Sequence, residues 1–254
     1  MHTNRKANPD AASIPMPAKN QAVIISKLIW VVLFSIAFAW VEASVVVYLR
    51  EIYFGGDFRF PIPVSWVQGR VVLDELAQIE FLREMATIIM LFSIGCCAGS
   101  NRLDKFAFFI LSFGLWDILY YFWLHTMVGW PQSLLTWDLL FLIPLPWVGP
   151  VLAPLLIATV MVIVGILLIF AHNSGLVLGL RWYDWFLEIA SGVLMIAAFC
   201  WDWRNILQYP SGAYDGIPKD FAWWLFLPTL CISVSLVSVR VIQMIFCKRE
   251  FVKE

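Results

Sequence analysis

Six long apolar runs constrain the fold of this chain more than any other feature of its sequence. A membrane-spanning helix needs about 20 mostly apolar residues, because a rise of about 1.5 Å per residue must cross about 30 Å of hydrocarbon. Only 14% of the residues are charged, against about 25% in an ordinary soluble domain. The sequence therefore predicts an all-α integral membrane protein with six transmembrane helices. The predicted spans are residues 28–49, 79–99, 106–128, 150–171, 183–203 and 221–247.

A shorter apolar piece, residues 134–143, lies between the third and fourth runs. It is followed by Pro144, Pro146, Gly149 and Pro150. Each proline removes a backbone N–H and clashes with the preceding turn, so this cluster cannot continue a helix. Irregular backbone at membrane depth is tolerated only where protein or water covers it. We expect a Pro-broken re-entrant or interfacial half-helix, or an early broken turn of the fourth span.

The distribution of Lys and Arg predicts how the spans run. With the N-terminus in the cytoplasm, eleven of the 17 basic residues lie inside, in agreement with the positive-inside rule. We therefore predict a protein of the cell (inner) membrane with both termini cytoplasmic. Residues 1–22 are polar and contain prolines, which predicts a disordered cytoplasmic tail. Residues 23–247 are predicted to form a single six-helix transmembrane domain, and residues 248–254 a second cytoplasmic tail.

Carboxylates from five predicted segments fall at one level, in the outer half of the membrane. An ionised side chain at mid-depth costs at least about 2.5–3.5 kcal/mol, so each one needs a partner, a water-filled cavity or a proton. Their shared level predicts an acid–base pocket in the outer leaflet. The residues concerned are Glu42, Glu80, Glu84, Asp117, Asp138 and Asp202.

Depth separates these acids into two groups. Glu80 and Asp202 are close to span ends, as are Asp104 and Asp184, and headgroups or water can solvate a charge there. Asp138 can also act as a cap for the half-helix. The deeper acids, Glu42, Glu84 and Asp117, require either a function or an obligatory structural pair.

Helical spacing assigns roles within the pocket. Asp117, Tyr121 and His125 are four residues apart and share one stripe of the third helix, and Arg83 can pair with Glu80. A carboxyl among aromatic rings holds a proton more readily than one paired with arginine, so such a set provides an acid and a base. Aromatic rings here either form an interfacial belt or line a pocket for a ring or an ammonium group. The predicted catalytic residues are Glu42, Glu84, Asp117 and His125, and the predicted substrate-binding residues are Arg83, Tyr121, Asp138, Trp116 and Trp137.

Three functions remain open on the sequence alone. The first is a membrane-embedded enzyme that acts on a lipid or isoprenoid-like amphiphile by proton transfer. The second is a small proton- or cation-coupled transporter or substrate-capture subunit, and the third is a structural or assembly protein whose buried charges only pair. The net charge of −1 gives no case for nucleic acid. The predicted partners are the lipid bilayer and a lipid or small-molecule ligand, while metal content and cofactors stay unassigned, since no motif indicates one.

Overall fold

The structure, a computed structural model, describes residues 18–54, 70–143, 145–173, 181–201 and 221–251. The described part contains six helices that are long and apolar enough to cross a membrane. The prediction of a mostly helical, multi-pass membrane protein is confirmed. The helices are α1 (Ala18–Phe54), α2 (Arg70–Ala98), α3 (Arg102–Val128), α4 (Leu152–Asn173), α5 (Trp182–Phe199) and α6 (Trp223–Phe251).

Four helices, α1, α2, α3 and α6, are longer than the apolar runs that predicted them. α1 includes residues 18–22, which the sequence placed in the disordered tail, and residues 1–17 lie outside the described part. α6 continues to Phe251, into the predicted second tail, of which residues 252–254 lie outside the described part. α2 begins at Arg70, so Glu80 and Glu84 lie well inside this helix rather than in its first two turns. Polar side chains ended the predicted runs, but many of them are good helix formers and the backbone hydrogen bonds continue through them.

The segment between α3 and α4 is a β-hairpin and not the predicted half-helix. β1 (Trp137–Phe141) pairs antiparallel with β2 (Trp147–Pro150), with Trp137 opposite Pro150. A short apolar run fits a buried strand as well as a helix, so periodicity could not separate them. Pro150 is tolerated because an edge strand does not need every N–H. The described part is therefore mostly helical, as predicted, with one two-stranded sheet in place of the half-helix.

α3 lies at the centre of the main helical group, packed against α1, α2 and α4. Glycines allow this close approach. A Cβ added at Gly114 would lie 2.5 Å from the carbonyl oxygen of Ala158, and one added at Gly165 would lie 3.0 Å from that of Ala107. Small residues at such contacts let membrane helices pack backbone to backbone. The middle of α3 is thus closely packed against its neighbours, whereas Arg102 and His125 near its ends are exposed.

α5 and α6 form a second helical pair, which joins the main group through β2 and α4. Phe199, Phe221 and Phe226 make an aromatic contact region between this pair and the hairpin, and Trp147 stacks on Phe199 at a centroid distance of 5.8 Å. We call the end of the bundle where the hairpin connects α3 to α4 the hairpin end, and the other the opposite end.

Candidate functional site

Arg83 joins α1 to α2 near the hairpin end. Its guanidinium forms an ion pair with Glu42 of α1 and a second one with Glu80, one turn earlier on α2, where Nη2 and Oε2 are 2.8 Å apart. The Thr87 hydroxyl donates a hydrogen bond of 2.8 Å to the other Glu42 oxygen. The Glu42 side chain is only 7% exposed. Both of its oxygens have donors, so the charge of Glu42 is compensated in place.

The Glu84 side chain binds the backbone of the hairpin. The N–H of Leu142 points to both carboxylate oxygens of Glu84, at 2.8 and 3.1 Å. Leu142 directly follows β1, beyond the last paired residue of the strand. A buried N–H without an acceptor costs about 1–3 kcal/mol. Glu84 therefore accepts the hydrogen bond of the Leu142 N–H, which has no partner in the sheet.

Asp138 of β1 accepts hydrogen bonds from both a side chain and the backbone. The Tyr121 hydroxyl of α3 donates to its Oδ2 at 3.1 Å, and the N–H of Leu139 donates to its Oδ1 at 2.9 Å. Tyr121 and Asp138 are both buried. Burial raises the pKa of Asp138 to about 6, although Arg50 and these two donors favour its ionised form.

Asp117 lies one helical turn before Tyr121 on α3 and interacts electrostatically with Asp138. It is eleven residues from the end of α3 at Val128, or about 16 Å along the axis, which is near the middle of this helix. Its side chain is half-buried. Among the described residues, no donor forms a hydrogen bond with the Asp117 carboxyl, whereas Glu42, Glu84 and Asp138 each have one.

Trp116 lies next to this group, in an aromatic wall. Its ring stacks on Tyr120 at 6.2 Å between centroids and contacts Phe141 of β1 at 6.4 Å. The indole Nε1 is buried and has no acceptor within the described part of the chain. A buried donor without an acceptor is unusual in a folded protein. The contact between Trp116 and Phe141 also shows that the end of β1 lies at the level of Trp116.

Two of the predicted site residues lie away from this group. His125 is exposed, its Nδ1 is 3.1 Å from the carbonyl oxygen of Pro131, and it is two turns, about 12 Å, beyond Asp117 along α3. Trp137 packs against Phe221, with a centroid distance of 6.4 Å, on the side of the hairpin that faces α6. Asp202 lies outside the described residues. The structure thus brings together Glu42, Arg83, Glu84, Trp116, Asp117, Tyr121 and Asp138.

We use the name carboxylate cluster for Glu42, Glu80, Glu84, Asp117 and Asp138. Among the described residues, the guanidiniums of Arg50 and Arg83 act electrostatically on its members. If all five carboxyls were ionised, the negative charge would exceed the positive charge, and uncompensated charge is costly in a low-dielectric interior. In the part of the chain that the structure describes, no three His, Cys, Asp or Glu side chains are arranged to hold a metal ion. A bound proton or a bound cation would lower this cost.

A second polar group, between α5 and α6, was missed by the sequence analysis. Asp184, expected to face headgroups, is buried and forms an ion pair with Arg240 at 2.6 Å. Ser233 donates to Glu188 Oε2 at 2.6 Å, while Glu188 Oε1 is buried with no donor among the described residues. The spacing of Asp184 and Glu188 on one helix face is visible in the sequence. The sequence does not show, however, that α6 supplies their partners, Arg240 and Ser233.

Comparison of the chain with protein-family models, with curated proteins and with solved structures finds no match.

Proposed function

We propose that this protein is a membrane-embedded enzyme that transfers a proton to or from a lipid or isoprenoid-like amphiphile, and that Asp117 exchanges that proton. One observation carries the proposal: Asp117 is deep in α3 and partly accessible, and no described residue donates to it. The isolated charge of such a group is costly at this depth, so its protonated form is favoured. A neutral carboxyl that a ligand can reach is a general acid.

Asp138 and Tyr121 supply the second half of this acid–base centre. The Tyr121 hydroxyl and the Leu139 N–H stabilise the ionised form of Asp138, whereas Asp117 has no such donors among the described residues. This difference in environment suits Asp117 to act as the acid and Asp138 as the base. When Asp117 gives its proton to a substrate, the new negative charge adds to that of Asp138. The repulsion between them favours the return of a proton to the pair, from the product or from water.

The remaining members of the site position this centre in our proposal. Arg83 fixes α1 against α2 through Glu42, and Glu84 fixes the hairpin against α2. The Trp116 ring, with Tyr120 and Phe141, forms an apolar wall beside Asp117. His125, at the exposed end of the same stripe, is placed to exchange protons with water rather than with Asp117 directly.

We also propose that the hairpin end faces outward and that both termini are cytoplasmic. The positive-inside rule supports this orientation, because more of the described basic residues lie at the opposite end. Those at the opposite end are Lys19, Lys27, Arg102, Lys105, Arg181, Arg240, Lys248 and Arg249, and those towards the hairpin end are Arg50, Arg70 and Arg83.

Lipid conversion in vesicles tests the enzyme proposal. The purified protein is reconstituted into vesicles of mixed glycerophospholipids and polyprenyl lipids, and the lipids are measured by mass spectrometry over time. We expect the wild type and the control variant Glu51→Gln, an exposed acid on α1, to convert one lipid species. Asp117→Asn should lower that rate at least about 100-fold, the usual contribution of a general acid.

Asp117→Asn preserves the size of the side chain and removes no hydrogen bond to a described residue, so we expect it to fold. Thermal unfolding in detergent checks this. Conversion by Asp117→Asn at the wild-type rate, or no conversion by the wild type of any lipid supplied, would contradict the proposal.

A proton- or cation-coupled transporter is the second candidate. It is supported by the surplus of carboxyls over guanidiniums in the carboxylate cluster, together with the partly unsatisfied Glu188 on α5. Such a protein carries titratable groups at more than one depth. In vesicles that enclose a pH-sensitive dye, it predicts proton movement when a cation gradient is imposed, and loss of that movement in Asp117→Asn.

A further inference from the structure

A groove of about 480 Å³ lies between α5 and α6 at the opposite end of the bundle, away from the carboxylate cluster. Its polar part includes Arg181, Tyr183, Asp184 and Arg240, and its apolar part includes Ile232 and Leu236 of α6. A site with a charged end and a hydrocarbon end fits an amphiphile.

Two guanidiniums converge at the polar part of the groove. Arg181 donates to the Tyr183 hydroxyl at 2.6 Å, and Arg240 donates to the same oxygen at 3.3 Å. Arg240 also forms the ion pair with Asp184. Among the described residues, no carboxylate forms an ion pair with the Arg181 guanidinium. The polar part therefore carries one net positive charge, which complements one phosphodiester.

The apolar part continues onto a surface that can hold an acyl chain. Ile232 and Val239 both line the groove and are 47% and 49% exposed. The groove volume accommodates a phosphate, a glycerol unit and the first methylene groups, while the rest of a chain lies along α6. The exposed rings of Trp182 and Trp185 are at the same end of α5, and Trp side chains mark the level of the headgroups.

We propose that this groove binds one anionic phospholipid. Its phosphate is bound by Arg181, Arg240 and the Tyr183 hydroxyl, and its acyl chain packs on Ile232 and Leu236. Basic pockets between membrane helices recognise anionic headgroups in this way, and one basic residue near the membrane surface contributes about a fivefold preference. The proposal is independent of the chemistry suggested for Asp117.

Native mass spectrometry of the detergent-solubilised full chain tests the proposal. Phosphatidylglycerol and phosphatidylcholine of equal chain length are added separately, and the fraction of protein with one bound lipid is measured. We expect the wild type to retain phosphatidylglycerol at least about fivefold better. Arg181→Gln should abolish that preference, while Arg102→Gln, an exposed arginine at the same end but outside the groove, should keep it.

Two further arms identify the ligand and the site. Leu236→Trp fills the apolar part and should weaken the binding of both lipids with the arginines intact. Inorganic phosphate at millimolar concentration should not displace phosphatidylglycerol, since it lacks the acyl chain. Equal retention of the two lipids by the wild type, an unchanged preference in Arg181→Gln, or displacement by free phosphate would each overturn the proposal.

Discussion

Replacing Arg83 by Gln removes the cation that α1 and α2 share. Within the described part of the chain, Glu42 then keeps only the Thr87 hydroxyl as a donor, in a place where its side chain is 7% exposed. Removing one partner of a buried ion pair costs about 3–5 kcal/mol because a buried charge is left behind. The Arg83 side chain is 25% exposed, so water screens part of the interaction. We expect Arg83→Gln to lower the free energy of unfolding by about 2–3 kcal/mol.

A double-mutant cycle separates this charge effect from a loss of packing. Glu42→Gln removes the stranded charge and keeps an oxygen that can accept from Thr87. The double variant should therefore be more stable than the sum of the two single variants predicts, by at least about 1 kcal/mol. Unfolding in mixed micelles, titrated with a denaturing detergent and followed by Trp fluorescence, measures each free energy. Lys27→Gln is the control, since the one hydrogen bond of Lys27 to a described residue goes to the exposed Ser100 hydroxyl, at 3.2 Å.

The control should stay within about 0.5 kcal/mol of the wild type. The reasoning is refuted if Arg83→Gln is equally close to the wild type, or if the two single effects simply add. In either case the ion pair would not be what holds α1 against α2 at this level.

Two further predictions concern helix packing and pH. Gly114→Leu should destabilise the protein by at least about 2 kcal/mol, because the new Cβ would lie 2.5 Å from the Ala158 carbonyl oxygen. Gly192→Leu is the control and should be tolerated, since a Cβ at this position meets nothing within 4 Å. Thermal unfolding in detergent compares the two variants. The pKa of Asp138 rises from 3.8 to about 6 on folding, so the folded state binds its proton more tightly and stability should fall by about 3 kcal/mol as the pH rises between these values. This part of the pH dependence should be absent from unfolding curves of Asp138→Asn, and its persistence there would assign it to another group.

Part of the site was predictable from spacing along single helices. Glu80 and Arg83 are three residues apart, and Asp117 and Tyr121 are four residues apart, so their proximity follows from helical geometry. The contact of Glu84 with Leu142 was not predictable, because one partner is a backbone N–H exposed by the end of a strand. The same is true of Asp138, whose bond to Tyr121 depends on the hairpin folding back against α3.

The hairpin shows why local pattern was insufficient. Residues 137–141 are apolar apart from Asp138, and a run this short has no periodicity that distinguishes a strand from a helix. The strand is selected by its pairing with residues 147–150, by the packing of Phe141 on Trp116, and by the Glu84 carboxylate that takes up the next N–H. Each of these contacts joins segments that are distant in the sequence or separated by a turn.

The sequence by itself determined that the chain is a multi-pass helical membrane protein and that several acids fall in or beside its apolar runs, because hydrophobicity and helix length are local properties that the bilayer thickness turns into spans. Tertiary structure alone decided which of those acids are compensated: Glu42 by Arg83, Asp138 by Tyr121, and Asp184 by Arg240. A charge finds its partner through the packing of whole helices, and small residues such as Gly114 set that packing by shape. Shape complementarity between distant segments cannot be seen in the order of residues along one of them.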